Sequence, residues 1–150
     1  MSTNPVVTSD AAWQAAIEQN GYRLTKPLTA VIGVMATTAR ALSPMEVFDM
    51  ARESYPKLGL VTVYRSLEKL EEIGLVQRVH QPDECSSYIA ARAGHQHLLI
   101  CQSCGLTRYF SGDNLETLIS SVEQETGFAI RAHWLQLFGF CPDCRKSGAA

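Results

Sequence analysis

The reactive side chains of this chain crowd into its second half. Cys101-Gln-Ser-Cys104 and Cys141-Pro-Asp-Cys144 are two Cys-x-x-Cys pairs. Each pair can wrap one edge of a metal ion. Four thiolates in a tetrahedral array suit zinc, which favours sulfur in structural sites and carries no redox chemistry of its own. Gly105 follows the first pair and Gly139 precedes the second, which suits tight metal-binding turns. Residues 105–140 separate the pairs, more than a zinc ribbon normally spans, so this spacer is expected to fold into elements of its own. A redox reading fits less well, because a thioredoxin-like motif is one Cys-x-x-Cys at the start of a βαβ unit. Disulfides fit poorly with a chain expected to be cytoplasmic.

The histidines form a second constellation. His95-Gln-His97 leads directly into Leu98-Leu99-Ile100-Cys101. Residues i and i+2 share one face of a strand, so both imidazoles can serve one metal. His133 precedes the second cysteine pair, and zinc at the cysteines would bring it towards His97. Glu116, in the first turn of a helix expected between the pairs, can add a carboxylate. Three imidazoles and a carboxylate suit zinc and also accept iron or manganese. His80 and Cys85 flank a polar turn where the two halves of the chain meet. They are candidates for a junctional metal site that would couple occupancy to the arrangement of the halves.

The elements that must position these groups are legible in the pattern. Ser9 or Asp10 can cap a helix over 11–20, with Trp13, Ala16 and Ile17 on one face and Gly21 as its stop. Thr25 can cap a second helix whose Leu28, Val31, Ile32 and Met35 recur at helical spacing. Ser43-Pro44-Met45-Glu46 is a capping box with proline at the first helical position. The helix it opens should bury Val47, Met50 and Ala51 and fray near Tyr55-Pro56. A fourth helix runs from about Leu60 to Ile73. Val63, Leu67, Leu70 and Ile73 form its stripe, while Thr62, Tyr64, Arg65 and Lys69 lie off it. Leu75–Val79 and Ser87–Ala90 then alternate as a hairpin.

Helices followed by a hairpin make a winged helix-turn-helix pattern, whose last helix enters the DNA major groove. Beyond it, Leu106–Phe110 reads as a strand, Asp113–Glu125 as a helix with apolar Leu115, Leu118, Ile119 and Val122, and Phe128–Phe140 as one long strand. The expected fold is therefore α+β. A winged-helix domain occupies 1–90, with its wing at about 75–90, and a small α/β domain with the four-cysteine zinc site occupies 91–150.

Composition bounds the function. The 150 residues carry a net charge of −2, which argues against a protein that coats nucleic acid through many phosphate contacts. A site-specific binder with a small basic footprint remains compatible with it. No apolar run approaches a membrane span, and the polar N-terminus lacks the layout of a signal peptide. The expectation is a cytoplasmic chain without a membrane partner. Nor does the sequence read as an enzyme. No nucleophile or acid/base pair stands out, and four protein ligands leave no open position on a metal.

Taken in order, these motifs resemble the ferric uptake regulator family. The resemblance runs from Gly21 to Cys144. It is carried by Gly21-Tyr-Arg-Leu-Thr25, Ser43 to Glu46, Thr62-Val-Tyr-Arg65, Gly74-Leu-Val76, His95-Gln-His97, Cys101 to Gly105, Gly127-Phe128, His133 and Cys141 to Cys144. It implies a metal-dependent repressor, homodimeric through the C-terminal domain and bound to double-stranded operator DNA through the winged helix. Tyr64 and Arg65 match the family's recognition motif, and Arg23 with Lys26 lies near its minor-groove and backbone contacts. The His95, His97, Glu116 and His133 set matches a site within the dimerisation domain.

Three departures stand out. Thr25-Lys26-Pro27-Leu28 replaces the common Thr-Pro-Gln-Arg. Ala41-Leu42 stands where an interdomain histidine is usual. No glutamate lies near Ile89. The interdomain sensor therefore does not transfer, and His80 with Cys85 are its candidate replacements. A thiolate there favours zinc over iron or manganese as the second, regulatory divalent metal. The reading is a zinc-responsive repressor. The alternatives are an iron-responsive member of the same family and a zinc-stabilised protein-interaction module that does not bind DNA.

Overall fold

A computed structural model of the protein describes residues 9–80, 86–92 and 96–148. The fold has two compact units, Met1–Arg92 and Ala93–Ala150.

The first unit is built on four helices: α1 (Asp10–Gln19), α2 (Lys26–Thr37), α3 (Pro44–Ala51) and α4 (Leu60–Ile73). Trp13 and Ile17, four residues apart on α1, are both buried. The N–H of Leu28 donates to the Thr25 hydroxyl at the start of α2. The capping box of α3 closes from both sides: Glu46 N–H donates to Ser43 Oγ (3.2 Å) and Ser43 N–H donates to Glu46 Oε2 (2.7 Å). Such a cap contributes about 1 kcal/mol. Val63, Leu67 and Leu70 of α4 are fully buried in one core with Val31, Ile32, Met35 and Val47. Burying each such side chain stabilises by about 1.5–3 kcal/mol. Gly74 ends α4 in the left-handed region at φ 85°, a conformation open to glycine without steric cost.

One expectation for α3 is corrected. Met50 is exposed (45%). Pro44, Val47 and Ala51 define the buried stripe of this short helix, and at about 100° per residue Met50 falls beyond its edge.

The hairpin of β1 (Val76–His80) and β2 (Ser86–Ala90) pairs antiparallel from Val76↔Ala90 to His80↔Ser86. Leu42 adds an antiparallel bridge to Tyr88, through hydrogen bonds of 2.9 and 2.8 Å. The segment before α3 is thereby tied to the wing. Arg78 of β1 pairs with Glu71 of α4 at 3.0 Å and lies over the Tyr88 ring.

The second unit holds β3 (His97–Cys101), β4 (Thr107–Phe110), α5 (Leu115–Thr126), β5 (Gln136–Gly139) and α6 (Pro142–Lys146). The sheet order is β4-β3-β5, with β3 antiparallel to β4 and parallel to β5. Leu98 and Ile100 are buried on one face of β3, while Leu99 on the other is exposed. The long strand expected over Phe128–Phe140 is corrected. Only Gln136–Gly139 pairs, because the ladder to the five-residue β3 begins at Leu98↔Gln136 and ends at Cys101↔Gly139. Residues 127–135 form no regular element.

Candidate metal centres and nucleic-acid interface

The sheet register assembles the cysteines. Cys101 is the last residue of β3 and lies opposite Gly139, the last of β5. The hydrogen bond from Gln102 N–H to Gly139 O (2.8 Å) locks the two strand ends together. Gly105, at φ 73°, turns the chain after Cys104. Cys141 then caps α6, its sulfur accepting from Cys144 N–H at 3.5 Å. The four ligand sulfurs lie within 4.8 Å of one another, and Cys104 Sγ lies 3.8 Å from Cys141 Sγ. A tetrahedron with Zn–S bonds of about 2.3 Å has edges of about 3.8 Å. The donor set fits zinc in type, number and spacing.

Backbone donors also tune the sulfurs. Burial of Cys101 opposes its ionisation, but N–H groups of Cys104, Cys141 and Ser103 outweigh that and bring its thiol from 9.0 down to about 6. The Cys141 N–H reaches Cys101 Sγ at 3.3 Å. The Cys144 thiol is pushed up to about 12. Ser103 lowers it, but Cys141, burial, Cys104 and Cys101 together raise it. Cations complete such a cluster by stabilising thiolates that would otherwise repel one another.

His97 opens β3 and is 3% exposed. Its ring lies near those of Phe110 and His133, with centroids 5.4 and 5.2 Å away. Two imidazoles sharing one tetrahedral zinc place each ring centre about 3.2 Å from the metal, and so about 5 Å from each other. The His97–His133 spacing is compatible with that. Gly112 packs directly against His97: a Cβ there would come within 2.6 Å of His97 Cδ2, and its φ is +64°. Glycine is required on both counts, and no pattern in the sequence marked it. Glu116 lies in the first turn of α5 and is exposed. Among the described residues, only the cysteine set brings three or more ligand atoms within 4.8 Å of one another, so Glu116 does not join His97 and His133 that closely. His95 and Cys85 lie outside the described residues. His80 is the exposed last residue of β1.

In the first unit, α4 turns Thr62, Tyr64 and Arg65 outward. Val61 beside them is 65% exposed and Tyr64 is 47% exposed. Lys69 is drawn sideways instead. Its ammonium lies 4.8 Å from the ring centre of Tyr22, whose hydroxyl donates to Glu72 Oε2 at 3.1 Å. That hydrogen bond, then the charge of Glu72, raises the Tyr22 pKa above 10.0. The sequence offered no sign that Tyr22 holds Lys69, because the two are far apart in the chain and Tyr22 precedes a different helix. Arg23 and Lys26, just before and at the start of α2, are partly or fully exposed.

A winged helix followed by a thiolate-bearing α/β unit joins a fold that can enter a DNA groove to one that can hold a metal. The model of the ferric uptake regulator family matches residues 19–138. The zinc uptake regulation protein of Mycobacterium tuberculosis is 33% identical over 126 residues, covering 84% of this chain and 97% of that one. The ferric uptake regulation protein of Neisseria meningitidis is 28% identical over 135 residues, covering 89% and 94%. A solved zinc uptake regulator complexed with zinc and DNA superposes with a TM-score of 0.71 at 25% identity, over 98% of this chain and 100% of that one. The Helicobacter pylori ferric uptake regulator gives 0.71 at 23% identity, over 97% of each chain. This chain belongs to the ferric uptake regulator family.

Proposed function

We propose that this chain is a zinc-responsive repressor that binds operator DNA as a homodimer. The observation that carries the reading beyond family membership is the His97–His133 pair, distinct from the thiolate cluster and spaced as two ligands of one metal. Zinc at Cys101, Cys104, Cys141 and Cys144 is structural in this reading: it cross-links the ends of β3 and β5. His97 and His133, with His95, hold the regulatory ion; the ligand atoms of His97, His133 and Glu116 do not all lie within 4.8 Å of one another, so Glu116 would join only by closing on the metal. Two or three imidazoles bind zinc less tightly than four thiolates, so this site fills and empties over a regulatory range.

The second unit supports the dimer. α5 buries none of its residues, and Leu118 (57%), Val122, Phe128 (74%) and Trp134 (64%) are exposed. Exposed apolar surface on this scale marks an interface. Arg65 and Tyr64 contact the duplex through phosphate, base edge or thymine methyl, and Thr62, Arg23 and Lys26 contribute near the backbone. Metal that binds the DNA-competent state more tightly raises its population by that difference in affinity.

The test is a mobility-shift assay against genomic fragments with zinc, ferrous iron or manganese added in turn. Zinc should promote a sequence-specific complex at the lowest free-ion concentration. Complexes that form with iron and not with zinc would make the chain an iron sensor. No complex with any metal would leave only a zinc-stabilised interaction module.

A further inference from the structure

We infer that Val61 is a specificity-determining residue that reads a thymine methyl group in the operator. The inference rests on the reading of α4 as the recognition helix.

The exposed face of α4 changes character along its length. Its first two turns present Val61, Thr62, Tyr64 and Arg65, with no acid among them. Its last two turns present Glu68 and Glu72, both exposed, with Glu71 paired to Arg78. Carboxylates are repelled by a phosphate backbone, so the N-terminal half is the part that can approach a duplex. Recognition helices contact bases through this end.

Val61 lies at the centre of that approachable face. At about 100° per residue it points away from the buried stripe of Val63, Leu67 and Leu70 and is aligned with Arg65, four residues on. At 65% exposure it contributes little to the core. A β-branched residue on the solvent side of a helix also lowers helix propensity. Its side chain has no hydrogen-bonding group, so it can distinguish base pairs only by apolar contact. The apolar group in the major groove is the C5-methyl of thymine. Tyr64, on the adjacent turn and 47% exposed, widens the apolar patch.

The experiment removes each partner of the contact separately. Zinc-loaded wild-type protein is used to select a duplex from a randomised library. Each thymine of that duplex is then replaced in turn by deoxyuridine, which deletes only the methyl. Affinities are measured for wild type, Val61→Ala and Arg65→Ala.

For wild type, one uridine position per half-site should weaken binding about fourfold per contact, the equivalent of one buried methyl. Val61→Ala should lose a similar factor on the thymine duplex and nothing further on that uridine duplex. Alanine favours helix, so the variant should stay folded by circular dichroism. Val61→Ala binding unchanged, or its loss adding fully to that of every uridine, overturns the inference. If Arg65→Ala is also unaffected, the recognition-helix reading falls with it. If Arg65→Ala alone is weakened, only the role of Val61 falls.

Discussion

Cys144 and Cys101 show how much of the metal chemistry is settled by single residues. Their thiols are displaced in opposite directions, to about 12 and to about 6. Backbone N–H groups favour the Cys101 thiolate, whereas Cys144 faces sulfurs that disfavour a further negative charge. A zinc ion reverses the penalty at Cys144 by neutralising the cluster. Removing that ligand should therefore cost the ion, and structural zinc contributes on the order of 10 kcal/mol to small domains. Cys144→Ser is expected to lose the tightly held zinc and to unfold at lower temperature, as read by metal analysis and thermal melting. Zinc content equal to wild type would refute the structural assignment. The cysteine set was plain in the sequence because Cys-x-x-Cys fixes ligand type and spacing locally. The surroundings of His97 were not. Gly112 belongs to a different segment, and a glycine alone carries no signal of which ring will rest on it.

At the scale of elements, the helices of the first unit were legible almost residue by residue. Thr25, Ser43 with Glu46, and Gly74 are local start and stop signals that act whatever the tertiary context. The second unit was harder to read. Alternation over Phe128–Phe140 records only a period of two in side-chain type, and residues of both alternating sets before Gln136 are exposed. It does not record whether a backbone partner lies alongside, and β3 offers one to Gln136–Gly139 only. The apolar positions of α5 were visible in the same way, but not that they lie outside the unit's own core. Their exposure makes them the natural test of the dimer. Leu118→Glu should leave the unit folded and its zinc bound, because Leu118 is already 57% exposed. A charge buried in the subunit contact should weaken the dimer by at least about 2 kcal/mol, roughly thirtyfold. Sedimentation velocity across a dilution series would show this. A dimer as stable as wild type would place the interface elsewhere.

For the whole molecule, net charge and function fit together. A chain of net charge −2 binds DNA poorly by charge alone. In the proposed reading, affinity then depends on presenting two copies of α4 to one face of the duplex, and so on dimer state and metal occupancy. Among the described residues no helix is long and apolar enough to cross a membrane. In the proposed reading one metal holds the fold and a second governs DNA binding. Graded chelation of the zinc-loaded protein tests it most directly, with metal content, oligomeric state and operator affinity followed on the same samples. A weaker metal should leave first and take operator binding with it. The cysteine-bound zinc and the dimer should remain, and added zinc should restore the complex. His97→Ala should behave from the outset like the partly chelated protein. Operator binding that survives until the thiolate zinc is lost, or a His97→Ala protein that still binds DNA in a zinc-dependent way, would contradict it.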